Sequence, residues 1–147
     1  MKRLLLTATL LAFAGGAQAQ PFFVMSEPNK ALHRPFSDAV QVGDVLYISG
    51  QIGAEPGVDH VVTGGIEAEA RQVMENICGV LKARGLGFDN VFKCTVMIGD
   101  MAKWGDFNKV YVPYFKPDRL PARSAFGANG LAKGAAVEVE CWAYAGM

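Results

Sequence analysis

Residues 121–145 read PARSAFGANGLAKGAAVEVECWAYA, and the two halves of this stretch have different rhythms. From Val137 onward, Val137, Val139, Cys141, Ala143 and Ala145 alternate with Glu138, Glu140, Trp142 and Tyr144. That period of two puts successive side chains on opposite faces of a strand. The small apolar face suits packed helices. The bulkier face, two aromatics beside two carboxylates, asks for cover, and a subunit interface would supply it. Arg123 to Gly127 reads as a short strand, and the three glycines from Gly127 to Gly134 as a turn. If the two strands are neighbours, Arg123 meets one of the glutamates. A guanidinium takes a carboxylate through two parallel hydrogen bonds. A glutamate beside it, able to handle a proton or a water, completes the outline of a small-molecule enzyme site. The plainer reading of a lone arginine is a structural ion pair with Glu138 or Glu140.

Upstream, Trp104, Phe107, Tyr111, Tyr114 and Phe115 mark a helix over roughly Lys103 to Phe115, with the aromatic stripe read as core. Pro113 lacks a backbone donor and should bend or stop its last turn. Val91 to Ile98 reads as a strand broken by Gly99-Asp100. Ile66 to Arg84 is the clearest helix. Ile66, Ala70, Val73, Ile77, Val80 and Leu81 form one face, Glu67, Glu69, Arg71, Glu75 and Lys82 lie mostly on the other, and Gly85 stops it. Glu55 to Gly65 is a loop. Asp38–Val42 and Val45–Ser49 flank Gly43-Asp44 as a hairpin. Pro21 to Pro35, broken by prolines, reads as an extended arm. The order β-β-α-β-α-β-β predicts an α+β two-layer sandwich, one mixed β-sheet with both helices on one face. The uncovered face invites oligomerisation.

The first residues belong to a different class. Met1-Lys2-Arg3 is basic, Leu4 to Phe13 is apolar apart from threonines, and Ala17-Gln18-Ala19 is a small-x-small cleavage pattern. This reads as a signal peptide over residues 1–19, with a single domain over 20–147. It implies export, to the periplasm or the medium, with no membrane association after cleavage. The chain carries 14 basic and 14 acidic side chains, and removing Lys2 and Arg3 leaves 12 against 14. No basic stripe offers a nucleic-acid groove. His33 and His60 are far apart without acidic or cysteine neighbours, so no metal is expected. The three cysteines, Cys78, Cys94 and Cys141, leave at least one unpaired. They read as buried thiols acting as small hydrophobes, with a Cys94–Cys141 disulfide as the alternative.

The PARS segment at 121–124, followed after about a dozen residues by G-A-x-V-E-V-E at 134–140, resembles the signature of the RidA family, also called YjgF/YER057c/UK114. The resemblance covers about Glu27 to Ala145. It implies a homotrimer with sites between subunits, needing no metal or organic cofactor. Its implied activity is hydrolysis of reactive 2-enamine and 2-imino acids, such as 2-aminoacrylate, to 2-keto acids and ammonia. In this family the PARS arginine, here Arg123, binds the substrate carboxylate. The first glutamate of V-E-V-E, here Glu138, holds or activates the attacking water, with Glu140 second in rank. Ser49 and Gly50 in S-G-Q-I, and Asn108 in D-F-N-K-V-Y, match segments near the same pocket. Two positions depart from the family pattern. Phe36 stands where many members have a tyrosine, and Ala125 where many have a cysteine, although the Ala125 N–H remains to serve a ligand. Arg34 adds a positive charge beside Phe36. The competing reading is an exported, non-catalytic trimer of the same fold that captures small carboxylates or protects other proteins.

Overall fold

The computed structural model describes residues 20–146, so the expected signal peptide lies outside the described residues. The sheet has six strands. β1 (Phe22–Val24), β2 (Ala39–Val42) and β3 (Val45–Ile52) form an antiparallel meander; β4 (Val91–Ile98), β5 (Ala122–Gly127) and β6 (Val137–Tyr144) complete it. Their spatial order is β1-β2-β3-β6-β4-β5. The β2–β3 turn is tight, with Val42 opposite Val45, and Gly43 supplies the positive φ (56°) it needs.

α2 (Gly65–Lys82) crosses from β3 to β4, and α3 (Trp104–Tyr111) from β4 to β5. β3 and β4 each run antiparallel to β6, so they are parallel to one another with a gap between them; β4 and β5 are parallel neighbours. Both crossovers step in the same direction along the sheet. The right-handed rule for such connections then puts both helices on the same face. The last strand, β6, fills the gap. The sheet is therefore mixed and the architecture is the expected α+β two-layer sandwich.

The helix-facing side chains make one core. Ile66, Ala70, Val73, Ile77 and Leu81 of α2 pack with Phe107 of α3 on Leu46, Val96, Val137, Val139 and Ala143 of the sheet. α2 ends in a Schellman arrangement: the Leu86 N–H reaches the Leu81 carbonyl, the Gly85 N–H reaches that of Lys82, and Gly85 adopts φ 69°. Past α3 the chain tightens into a 3-10 turn over Val112–Tyr114, the consequence of Pro113.

Four expectations need correction. β5 and β6 are not neighbours, because β4 lies between them. Cys94 and Cys141 are not free thiols. They face each other across β4 and β6 with Cα atoms 4.2 Å apart, fully buried and joined as a disulfide, leaving Cys78 free and half-buried. The arm at 21–35 is ordered: β1 adds to the sheet edge, and α1 (Glu27–Ala31) holds Pro28 in its first turn, where a fixed φ suits the helix. Finally, Glu69 does not sit on the wet face of α2. It is 6% exposed, and its carboxylate accepts the Ala136 N–H at 2.7 Å, just before β6 begins.

Candidate functional site

Glu138 stands second in β6, on the face of the sheet away from the helices, and is half-buried. Its placement follows from the chain on either side. Glu69 pins the backbone at Ala136, and β3 presses against it from one flank. The β3–β6 register slips between Ile48 and Gln51, so Ser49-Gly50 forms a bulge facing Glu138. Gly50 comes so close that a Cβ there would land on Glu138 Oε1 and 2.9 Å from its Cδ. Only glycine leaves the carboxylate undisturbed at this approach. Burial, with Glu140 adding like-charge repulsion, raises the Glu138 pKa above the ordinary glutamate value. The carboxylate is thus held in a setting that favours taking a proton.

A cavity of about 490 Å³ opens beside it, lined by Phe36, Gly50, Ile52, Ala54, Val58 and Glu138 among others. Arg34 and Lys133 also line it, and both reach the same oxygen of Asp59, Oδ1, at 3.4 and 2.7 Å. The hydrogen bond from Lys133 is the main reason the Asp59 pKa is lowered. Arg34 is therefore paired rather than standing free. Ser49 donates its hydroxyl to the Ser37 carbonyl at 2.7 Å, which joins the start of the hairpin to the bulge.

Arg123 lies elsewhere. Its Cα partner on β4 is Cys94, whose side chain faces the helices, and Arg123 turns the same way. There its guanidinium rests 4.5 Å from the Trp104 ring centroid and 4.8 Å from that of Tyr111, and Nη1 donates to Asn108 Oδ1 at 2.8 Å. Ala125 lies two residues further along the exposed edge strand β5, on the same side as Arg123. Within one chain the candidate residues thus form two groups. Phe36, Gly50 and Glu138 share the cavity, whereas Arg123, Asn108 and Ala125 share the β5–α3 edge.

The face carrying Glu138 and Glu140 continues into exposed aromatics. Tyr47 and Trp142 pack edge-on at 5.1 Å, Phe92 and Trp142 at 6.4 Å, and Tyr144 is half exposed. Two features had no separate signal in the sequence. Glu69 looked like any polar helix position; Trp104 and Tyr111 read as core aromatics, and Tyr111 is in the core with Trp104 packed against it, but their contact with Arg123 was not visible. The spacing 104, 108, 111 was the available clue, since i, i+4 and i+7 stack on one helix face. Among the described residues no group of three His, Cys, Asp or Glu side chains could hold a metal ion, and no helix is long and apolar enough to cross a membrane.

Comparison with known proteins gives a consistent answer. Residues 27–145 match the model of a family described as endoribonuclease L-PSP. The 2-iminobutanoate/2-iminopropanoate deaminase of Mus musculus is 44% identical over 112 residues, covering 76% of this chain and 82% of that protein. The crystal structure of YyfA from Yersinia pestis, of the conserved Rid protein family, superposes with a TM-score of 0.78 at 34% identity, covering 85% of this chain and 99% of the other. RidA from an Antarctic Psychrobacter species gives a TM-score of 0.71 at 36% identity, covering 76% and 89%.

Proposed function

The chain belongs to the endoribonuclease L-PSP family, the RidA family of the sequence signature, and on that premise we propose that it hydrolyses 2-imino acids to 2-keto acids and ammonia. The observation that carries this reading is Glu138, half-buried with a raised pKa, pressed against Gly50 beside a cavity. A carboxylate so placed accepts a proton from water as the water oxygen attacks C2 of the imine. The C=N double bond becomes single, giving a carbinolamine. The proton returns to nitrogen and completes its amino group. The carbinol O–H then breaks, its proton passes to that nitrogen and its electron pair closes the C=O bond as the C–N bond breaks, so that ammonia leaves and the 2-keto acid remains. Arg123 holds the substrate carboxylate by two N–H donors. Close placement of water and imine supplies the rate advantage of orientation.

In this reading the two groups of residues come from different subunits. Arg123 lies across β4 from Glu138 and on the other face of the sheet, so one chain offers half a site. A homotrimer would bring the β5–α3 edge of one copy to the Glu138 cavity of the next, and would cover Tyr47, Phe92, Trp142 and Tyr144. Export fits the leader-like composition of residues 1–19, and the Cys94–Cys141 bond suits an oxidising compartment. RNA cleavage, which the family description names, finds no support in a chain with 14 basic and 14 acidic side chains.

The test uses protein from Gln20 onward, with 2-aminoacrylate generated in place and pyruvate and ammonia followed together. We expect release faster than the spontaneous rate, and a fall of about 100-fold in Arg123→Ala, the scale of a lost charge-assisted pair. Saturable binding of small carboxylates without any accelerated release would replace this reading with that of a non-catalytic capture protein.

A further inference from the structure

We infer that Trp104 and Tyr111 are positioning residues for Arg123: the two rings hold its guanidinium in the attitude in which a carboxylate ligand meets it. The inference rests on the proposed role of Arg123, and deepens it. The difficulty it addresses is physical. Arg123 sits on β5, an edge strand exposed along its whole length in the single chain. A free arginine side chain there has many rotamers, and a ligand would have to arrest them on binding.

Three contacts arrest them in advance. The Trp104 and Tyr111 rings lie 4.5 and 4.8 Å from the guanidinium carbon, within the range of attraction between a cation and a ring face. Asn108 Oδ1 takes one N–H of Nη1 at 2.8 Å. Each arginine offers five N–H donors, so the others remain for a ligand. The three residues occupy i, i+4 and i+7 of one helix and form a single stripe. The rings are themselves held. Trp104 stacks on Phe107 at 5.8 Å, and Phe107 packs on Tyr111 at 5.3 Å, with Phe107 fully buried. At the other end, β4 fixes the Arg123 backbone through its pairing with Cys94, which is cross-linked to β6. Backbone and head group are both located while the donors stay available.

Tyr111 acts through its ring. Its hydroxyl is buried without a hydrogen-bond partner among the described residues. Burial pushes its pKa up to about 12, against the opposing pull of the Arg123 charge, so it stays neutral at ordinary pH. Trp104 is the better position to test, because it is only partly buried and packs at the margin of the core, whereas Tyr111 lies within it.

The decisive experiment pairs kinetics with nitrogen relaxation of the Arg123 Nε–H. In the wild type we expect an order parameter of roughly 0.8 or above, as for rigid backbone, falling below roughly 0.6 in Trp104→Leu. In the same variant KM should rise about tenfold with kcat within about twofold, the scale of one lost cation–ring contact. Trp104→Phe and Tyr111→Phe, which keep a ring, should leave both near the wild-type values. A purely structural role would lower Tm in Trp104→Leu without changing KM or the Arg123 order parameter, and that outcome overturns the inference. If the wild type fails to hydrolyse any imine, the proposed function falls, while the relaxation measurement still decides whether the rings hold the arginine.

Discussion

Glu138 carries the proton transfer of the proposed reaction, and its environment gives a signed pH dependence. Its pKa is raised by burial and then by Glu140. The folded state therefore holds a proton that the unfolded state, with an ordinary value of about 4.3, has already lost. Stability falls as pH rises through that window, and Glu138→Gln should remove this dependence in denaturation curves taken across it. The same shift places the acidic limb of kcat/KM above the ordinary glutamate value. Glu140→Gln, by lifting the repulsion, should move that limb to lower pH. Gly50→Ala tests the geometry directly. The new Cβ displaces only the end of the Glu138 side chain, so the fold should survive with Tm nearly unchanged while kcat falls about tenfold or more, the cost of a misplaced catalytic group. At this scale the sequence motif singles out Arg123 and Glu138, and the structure sets them in different surroundings, one on aromatic rings and one against Gly50. The sequence was silent on Glu69, because helical periodicity assigns a face and says nothing of one carboxylate that turns inward to cap a strand.

Strands and helices were legible because their periods are local. β6 alternates over eight residues, and α2 carries an apolar stripe bounded by glycines. Which strand lies beside which is a long-range fact, and nothing in PARSAFG or VEVECWAY says that β4 will separate them. The disulfide was visible only as an alternative to buried thiols. Its two cysteines, 47 residues apart, are brought opposite one another only by the β4–β6 register. Closing a loop of that length restricts the unfolded chain by about 4 kcal/mol on the chain-entropy model. The Cys94→Ala, Cys141→Ala double variant should lose about that much in urea unfolding. Because both sulfurs are fully buried, the native wild type should resist reductant until denaturant is added.

At the scale of the molecule the division of the site makes its own prediction. Arg123→Ala and Glu138→Ala proteins should each be nearly inactive alone. Unfolded together and refolded as a 1:1 mixture, they should recover roughly a quarter of wild-type activity, the share of neighbouring pairs that reunite an intact arginine with an intact glutamate. Activity that stays at the level of the single variants would mean that the two residues do not share a site. The same assembly predicts a native mass three times that of the chain by light scattering. The fold class was readable in advance because two crossovers of one handedness leave little choice of layers. Subunit contact enters only as an expectation, from a sheet face that leaves Trp142 and Tyr144 exposed.

The position of β6 carries a consequence for how the protein is made. It is the last strand among the described residues, yet it lies inside the sheet, paired on both sides. Until residues 137–144 have left the ribosome, β3 and β4 have no common neighbour, and the meander and the β4–β5 pair are separate fragments with open edges. The sheet cannot lock piecemeal during synthesis, because its keystone follows the other five strands. Nascent chains stalled before Val137 should be readily cleaved by protease, and chains released a few residues beyond Tyr144 should be resistant.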